Sequence, residues 1–263
     1  MSLALLSLAE ELARQAGQVA LKGRRTSEIT ADTKSTPTDL VTQFDRECEQ
    51  IIVRGLSSAR PDDAIVGEEG ADRPGTSGIE WHIDPIDGTS NFFFDLPTWA
   101  VSIGARDADG PLLGAVYLPV LDEMFSALRG NGATLNGAPI SPRGATTLAD
   151  TLLATGFGYD PQKRAAHGRV VGSLMGRVRD LRRLGAASVD MCFVACGRLD
   201  AYVESGLHSW DVMAAQVIAT EAGCTVTDLQ GRSPVETEAV VAPPVLHPLV
   251  VEMFTRAAKE DPQ

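Results

Sequence analysis

The stretch that decides the fold spans residues 81–92 and reads Trp81-His82-Ile83-Asp84-Pro85-Ile86-Asp87-Gly88-Thr89-Ser90-Asn91-Phe92. Its apolar first part predicts a strand that ends at Asp84, and the Gly-Thr-Ser-Asn run predicts a helix start. Carboxylates beside an open helix N-terminus favour a site that holds a hard metal ion together with an anion. Asp-Pro and Asp-Gly pairs are also common in turns, so this stretch alone leaves an ordinary turn open.

The composition limits the partners of this chain. Its 263 residues are enough for one large domain or two closely packed halves with a substantial core. The net charge is −12, with 35 acidic against 23 basic residues, which argues against nucleic acid as the main partner. A phosphate substrate stays open where metal cations bring the positive charge, and solubility is the other explanation of the acidity.

The cysteines and the N-terminal segment indicate a cytoplasmic protein. Cys48, Cys192, Cys196 and Cys224 form no Cys-x-x-Cys pair, and we expect small buried side chains rather than a disulfide framework or a ligand set. Residues 1–6 lack the basic region of a signal peptide. No uncharged apolar run is long enough to cross a membrane, so we expect a soluble cytoplasmic protein.

The two halves of the chain differ in the order of their predicted helices and strands. Residues 1–142 predict an α+β half, with two amphipathic helices and an antiparallel meander of strands over residues 98–128. From residue 151 strands and helices alternate, so residues 143–263 predict an α/β half. The first half carries most of the candidate metal ligands. The second carries the last ligand and the residues expected to recognise the substrate.

Distant carboxylates give the Asp84 and Asp87 pair more weight. Glu68 follows a short apolar strand at residues 64–66, and Asp211 stands at the start of a predicted helix. Asp211 alone is explained by the helix dipole. Brought together, such acids repel one another and need cations between them at neutral pH. A set of oxygen ligands selects Mg²⁺ or Mn²⁺ over zinc, and two such ions can clamp a phosphoryl group.

Three segments together resemble the motif set of the inositol monophosphatase family. They are Gly67-Glu68-Glu69, the Asp84-Pro85-Ile86-Asp87-Gly88-Thr89 block with its Ser90-Asn91-Phe92 continuation, and Trp210-Asp211. The similarity covers nearly the whole chain, including residues 36–42 and 197–202. The resemblance implies the layered α-β-α-β-α sandwich of the lithium-sensitive, Mg²⁺-dependent phosphatases, a superfamily that includes fructose-1,6-bisphosphatase. We also expect a homodimer and inhibition by lithium.

The resemblance implies a ligand set for two or three Mg²⁺ ions, with Mn²⁺ as the alternative ion. Glu68, Asp84 and the Ile86 carbonyl would hold the first ion. Asp84, Asp87 and Asp211 would hold the second, and Glu68 would also contact a third, weaker ion.

The same resemblance implies roles in catalysis and substrate binding. Thr89, hydrogen-bonded to Asp45, would orient the attacking water with help from Glu68. The N–H groups of Gly88 and Thr89 would bind the phosphate. The alcohol part of the substrate would meet the following residues: Asp87, Gly185, Ala187, Glu204 and Asp211.

The chain departs from the family pattern in places that bear on the substrate. Gly185-Ala186-Ala187 stands where the family usually has a hydroxyl after the glycine. Residues 92–95 are unusually apolar, which favours packing over a substrate wall or a dimer contact. A basic cluster at residues 177–183 predicts a solvated face, with attraction of an anionic substrate or a dimer bridge by Arg182 as the alternative. We expect His82 to be structural, and we favour a structural role for His208, with a leaving-group contact as the alternative.

These observations predict a Mg²⁺-dependent phosphomonoesterase that acts on inositol monophosphate or a related sugar or polyol phosphate through a metal-activated water. The alternatives within the same chemistry are histidinol phosphate, fructose-1,6-bisphosphate and a 3′-phosphonucleotide. An alternative from another class is a binding protein that regulates macromolecules and has lost its chemistry, which predicts decay of the metal ligands. Glu68, Asp84, Asp87, Thr89 and Asp211 are all present, which disfavours it.

Overall fold

The first two helices cover one face of the molecule. The computed structural model describes residues 2–233 and 235–260. Met1, at the start of the first predicted half, lies outside the description, as do Pro234 and residues 261–263 at the end of the second predicted half. Helix α1 (Ser2–Thr26) and helix α2 (Gln43–Ala59) bury apolar stripes against each other and the first sheet. Between them a small hairpin pairs β1 (Ala31–Thr33) with β2 (Leu40–Thr42). Thr42 caps α2, because its hydroxyl accepts a hydrogen bond from the Phe44 N–H at 3.2 Å.

The first sheet has seven strands in chain order: β3 (Ala64–Gly67), β4 (Glu80–Asp87), β5 (Ala100–Asp107), β6 (Gly110–Leu118), β7 (Glu123–Leu128), β8 (Ala133–Leu135) and β9 (Ala138–Pro139). From β4 onward the neighbours are antiparallel, which confirms the predicted meander. Strand β3 runs parallel to β4, with Gly67 opposite Ile83. Glu68, directly after β3, therefore lies beside Asp84. Strand β4 itself continues to Asp87, three residues past its predicted end, with a shift in its pairing to β5 between Asp84 and Asp87.

The second sheet has five strands in the order β11-β10-β12-β14-β13. Strands β10, β11 and β12 are parallel and β14 is antiparallel to both of its neighbours, so the predicted alternation of strands and helices is confirmed for this half. Its elements, with the short helix α3 that follows β4, are α3 (Thr89–Phe93), β10 (Leu152–Thr155), α4 (Pro161–Leu174), β11 (Asp180–Arg182), α5 (Ala187–Ala195), β12 (Ala201–Ser205), α6 (Ser209–Glu221), β13 (Thr225–Thr227), β14 (Glu238–Ala242) and α7 (His247–Glu260).

Helices α5 and α6 form the middle layer between the two sheets. Their side chains are buried almost all round, as a helix between two sheets requires. Two glycines let α6 lie directly on the first sheet: a Cβ at Gly104 would stand 2.6 Å from the Ala214 nitrogen, and a Cβ at Gly114 would overlap the Ala214 carbonyl. Met213 is 2% exposed and belongs to this core, as expected.

The layers run from α1 and α2 through the first sheet, the middle helices and the second sheet to α4 and α7. This is the predicted α-β-α-β-α sandwich, and the α/β fold class is confirmed. The division at residues 142 and 143 stays a prediction. Among the described residues, no helix has the length and apolar character needed to span a membrane. The four cysteines are free and mostly buried, in agreement with the expectation from the sequence.

Candidate functional site

A cavity of about 770 Å³ opens where β3, β4 and β12 end and where α6 begins. Its walls bring together residues that are more than 140 positions apart in the chain. Every predicted site residue except Asp45 lines this cavity: Glu68, Asp84, Ile86, Asp87, Gly88, Thr89, Gly185, Ala187, Glu204 and Asp211. Asp45 lies behind the wall and contacts Thr89.

Asp84 lies at the bottom of the cavity and is 2% exposed. Its Oδ1 accepts a hydrogen bond from the Ile86 N–H at 3.0 Å, which turns the chain at Pro85. Burial raises the pKa of Asp84 well above its usual value, and the charges of Glu68, Asp87 and Asp211 raise it further. The Asp84 carboxyl also lies within hydrogen-bonding reach of Glu68. A bound cation would relieve this crowding of negative charge.

Asp87 is held by the start of α5. Its Oδ1 accepts from the Ala187 N–H at 3.2 Å, and its Oδ2 accepts from the Ser188 N–H at 2.7 Å and from the Ser188 hydroxyl at 2.5 Å. Burial raises the pKa of Asp87 to about 6, although the Ser188 hydrogen bonds act against that rise. The Ala187 N–H expected to meet the substrate is therefore engaged by Asp87. The hydroxyl missing at Ala186 has a counterpart at Ser188, which the sequence reasoning did not identify as a partner of Asp87.

Asp211 is in the first turn of α6, where its Oδ2 accepts from the His208 N–H at 2.7 Å. The Asp211 carboxylate therefore both caps the start of α6 and lines the candidate site. Burial raises the pKa of Asp211 well above its usual value, with Asp87 and Glu68 adding to the effect. The His208 ring lines the cavity and stacks on Trp210 with centroids 4.7 Å apart.

Asp45 is fully buried in the first turn of α2 and connects that helix to the site. Its Oδ2 accepts from the Thr42 N–H at 2.8 Å and from the Thr42 hydroxyl at 2.5 Å. Its Oδ1 lies 3.0 Å from the Thr89 hydroxyl, so the hydrogen bond implied by the resemblance is present. The Thr89 hydroxyl is also 3.1 Å from the Ile86 carbonyl oxygen. Burial raises the pKa of Asp45 to about 6.

Lys34 and Glu49 belong to the site region and were missed by the sequence reasoning. Lys34, in the loop between β1 and β2, places its Nζ 2.8 Å from Glu68 Oε1 and also contacts Glu69. Glu49 accepts a hydrogen bond from the Glu69 N–H at 2.9 Å, and burial raises its pKa to about 7. The one indication in the sequence was a lysine inside an otherwise polar loop opposite an acidic cluster.

The predicted ligands fit a metal ion by chemistry more than by their present spacing. Within residues 2–233 and 235–260, no three His, Cys, Asp or Glu side chains are arranged so that they could hold an ion between them. Asp87 is held by α5, Asp211 by His208, and Glu68 by Lys34. The donor set nevertheless consists of carboxylate and carbonyl oxygens, the ligands that Mg²⁺ prefers.

The other end of the cavity is built around Glu204 at the end of β12. The Tyr202 hydroxyl donates to Glu204 Oε2 at 2.6 Å, and burial raises the pKa of Glu204 to about 7. Asp190 on α5 lies nearby, is 1% exposed, and has two carboxyl oxygens without a hydrogen-bond partner in the described structure. Burial raises the pKa of Asp190 well above its usual value, and Glu204 and Asp87 add to the rise.

The basic cluster is divided by the fold. Arg182 is exposed, pairs with Asp180 at 2.7 Å and is not among the residues that line the cavity, which agrees with the predicted solvated face. Arg183 lines the cavity instead. His82 is structural, as expected: its ring nitrogens lie 2.9 Å from Ser209 Oγ and 2.9 Å from Glu80 Oε1.

Comparison with known proteins agrees with this fold. The model of the inositol monophosphatase family matches residues 3–259. The chain is 37% identical over 229 residues to the Nus factor SuhB of Escherichia coli K12, with 86% of each chain covered. The crystal structure of the extragenic suppressor protein suhB from Bartonella henselae superposes with a TM-score of 0.90 at 30% identity, covering 98% of this chain and 100% of that one.

A third relative carries an enzyme name. The IMPase of Thermotoga maritima superposes with a TM-score of 0.88 at 29% identity, and 99% of each chain is covered. The match of the family model over nearly the whole length, together with these similarities, settles the class. The chain belongs to the inositol monophosphatase family.

Proposed function

We propose that this protein is a Mg²⁺-dependent phosphomonoesterase that hydrolyses inositol monophosphate or a related sugar or polyol phosphate. The observation that carries the proposal is the meeting of Glu68, Asp84, Asp87 and Asp211 in one cavity beside the backbone of Gly88 and Thr89. Carboxylates brought close together repel one another and favour bound cations, and N–H groups at the start of a helix favour a phosphate next to them.

In this proposal the carboxylates and one carbonyl hold the metal ions. Glu68, Asp84 and the Ile86 carbonyl would hold one ion, and Asp84, Asp87 and Asp211 would hold the second. Two bound divalent ions supply an activated water and stabilise the charge on the phosphoryl oxygens. Occupation requires Glu68 to exchange its ion pair with Lys34 for metal, and inhibition by lithium is expected at the same site.

Thr89 supplies the orientation of the attacking water. Its hydroxyl lies between Asp45 Oδ1 and the Ile86 carbonyl, so its position is fixed by two acceptors. When the Thr89 hydroxyl donates its proton to Asp45, its oxygen lone pair is left to accept a hydrogen bond from the attacking water, and Asp45 is the base that can take up the proton. Glu68, at the end of β3, is the second group available to that water.

Glu204 meets the alcohol part of the substrate. A carboxylate accepts hydrogen bonds from hydroxyls, and Glu204 points into the cavity with one oxygen already bonded to Tyr202. This supports a polyol as the alcohol part of the substrate. Fructose-1,6-bisphosphate and a 3′-phosphonucleotide are the alternatives that use the same chemistry.

Release of phosphate from a panel of these substrates, with Mg²⁺ present, tests the proposal. Asp87→Asn should lower turnover of every substrate at least about 100-fold, as expected when a group that stabilises the reacting phosphoryl is lost. Asp109→Asn, in an exposed turn, is the matched control and should retain full activity. Unchanged phosphate release in Asp87→Asn would refute the metal assignment, and a preference for histidinol phosphate would refute the polyol assignment.

A second candidate function comes from the relatives named Nus factor, which at 37% identity cover 86% of this chain. A regulatory binding role would be carried by the surface rather than by the cavity. Asp87→Asn separates the two functions, since a binding role survives this substitution and hydrolysis does not. A cytoplasmic location and a homodimer belong to both candidates.

A further inference from the structure

The wall of the cavity near Glu204 carries a guanidinium that the proposed function does not use. Arg183 follows β11 and directly precedes the turn into α5, and it lines the cavity together with Gly185, Ala187 and Glu204. Its neighbour Arg182 turns toward Asp180. One of two consecutive arginines therefore faces the substrate space, in a protein whose net charge is −12.

Two glycines fix the position of this guanidinium. Gly185 has a φ of 94°, and a Cβ there would collide with Arg183 Nη1 and stand 3.2 Å from Asn91 Nδ2. The Gly185 carbonyl in turn lies 3.3 Å from where a Cβ of Gly88 would be. The Arg183 side chain thus lies over Gly185, which packs against the loop that begins α3.

The backbone next to Arg183 is anchored rather than free. The Asn91 side chain donates to the Leu184 carbonyl at 2.7 Å, and the Thr98 hydroxyl lies 3.3 Å from the same oxygen. These bonds connect the residue after Arg183 to α3 and to the approach to β5. A guanidinium on an anchored backbone can recognise a ligand with defined geometry.

Within the described residues, the Arg183 side chain forms none of the observed hydrogen bonds or ion pairs. The positive charge of Arg183 lowers the pKa of Glu204 and Asp190, which lie at the end of the cavity expected to hold the alcohol part of the substrate (the alcohol end). The charges that act on the pKa of Asp84 and Asp211 come from other carboxylates. Lys34 and Lys163 line the same cavity. Around Glu204, a hydroxyl acceptor and the Arg183 guanidinium therefore lie close enough for their charges to interact.

We propose that Arg183 determines specificity by binding a second anionic group of the substrate, so that the preferred substrates are sugar or polyol phosphates carrying a further phosphate or carboxylate. This inference rests on the proposed function, because it places the scissile phosphate at the end of the cavity formed by Glu68, Asp84, Asp87 and Asp211 (the carboxylate end). The planar guanidinium binds either anion through two parallel hydrogen bonds. An ammonium-bearing substrate meets repulsion at the same place.

Matched substrate pairs test this proposal. Glycerol 2-phosphate and 2-phosphoglycerate differ by a hydroxymethyl against a carboxylate, and inositol 1-phosphate and inositol 1,4-bisphosphate differ by one phosphate. In Arg183→Gln we expect KM for the two more anionic members to rise about tenfold, with kcat and the values for the other two within about twofold. Arg183→Lys should recover part of the loss, and the control Arg182→Gln should match the wild type.

The pairs also separate the sources of the anion. A loss confined to 2-phosphoglycerate assigns a carboxylate, and a loss confined to the bisphosphate assigns a phosphate. Equal losses for all four substrates, or no change in the ratio within either pair, would overturn the proposal. Thermal melting of each variant shows whether the fold is retained.

Failure of the proposed function gives a different result. In that case the wild type releases no phosphate from any of the four compounds. Isothermal titration calorimetry with the same four compounds then decides the role of Arg183. A preference for the more anionic members that is lost in Arg183→Gln supports the binding role, and equal affinities refute it.

Discussion

The two ends of the cavity are built in opposite ways. At the carboxylate end, Asp84, Asp87 and Thr89 come from one continuous run at the junction of β4 and α3. At the alcohol end, Arg183, Asp190 and Glu204 come from a loop, a helix and a strand. The chemistry of the proposed reaction is therefore concentrated in a short local motif. The proposed substrate recognition, in contrast, relies on residues that the packing of the second half brings together.

The acids at the two ends also differ in their hydrogen bonds. Asp87 and Asp211 accept from backbone N–H groups, which favour the charged carboxylate and oppose the effect of burial. Asp190 has no such donor, and burial raises its pKa, with the charges of Glu204 and Asp87 adding to the rise. The hydrogen bonds of Asp87 and Asp211 therefore favour their charged forms, whereas the surroundings of Asp190 favour its neutral form.

Replacing Thr89 by valine should have the largest effect and is the strongest test of this contrast. Valine has the shape of threonine without the hydroxyl that lies near Asp45 and the Ile86 carbonyl. We expect kcat to fall about 100-fold for every substrate, the usual contribution of a positioned proton-transfer group, with KM little changed. Thr89→Ser is the control and should keep most of the activity. A loss of kcat that differs between substrates with different alcohol parts would contradict the separate roles of the two ends.

Glu204→Gln should have an intermediate effect, and only at the alcohol end. Glutamine keeps an acceptor for the Tyr202 hydroxyl but removes the negative charge. We expect KM for inositol 1-phosphate to rise about tenfold, equivalent to about 1.4 kcal/mol, and KM for p-nitrophenyl phosphate, which has no alcohol hydroxyls, to stay within about twofold. Glu236→Gln, an exposed acid, is the matched control. An equal rise for both substrates would contradict a role limited to hydroxyl recognition.

Asp190→Asn should have the smallest effect on turnover and a clear effect on stability. Because the pKa of folded Asp190 is raised above the value of 3.8 for a free aspartate, wild type and variant should be equally stable below about pH 4. As the pH rises above that value, the unfolded wild type loses its proton more readily than the folded wild type, so the stability of the wild type falls. The variant has no such group and should therefore become more stable relative to the wild type between pH 4 and pH 8.

Chemical denaturation at pH 4 and pH 8 measures this difference. Turnover of Asp190→Asn should stay within about twofold of the wild type, since Asp190 is not among the residues that line the cavity. A variant that is less stable at pH 8 would show that Asp190 has a partner when the protein is in solution.

The fold was largely predictable because its pattern is regular. The meander, the alternation in the second half and the adjacency of Glu68 to Asp84 all follow from apolar periodicity and turn residues. Strand β11 was not predicted, because Asp180, Leu181 and Arg182 form a short edge strand with one apolar residue. Strand β1 of the first hairpin is exposed at all three of its residues, so its sequence shows no apolar alternation either.

The site was predictable where its residues form motifs and not where they meet by packing. The Asp84 to Thr89 block can be recognised from its own sequence. The resemblance to the family adds Glu68, Asp45 and Asp211. Lys34 and Ser188 reach the site from elements whose sequences carry no motif of their own. Distinguishing Arg183 from Arg182 required the direction of each side chain beyond β11, which consecutive identical residues cannot reveal.

The contact of α6 with Gly104 and Gly114 has a consequence for the order of folding. Asp211 reaches the carboxylates of β4 only after α6 has settled on those glycines, and this contact joins segments about 100 residues apart in the chain. Contacts of such long range form late, because closing the intervening loop costs entropy before the contact is gained. The proposed second metal site should thus be completed only late in folding, once α6 lies on the first sheet.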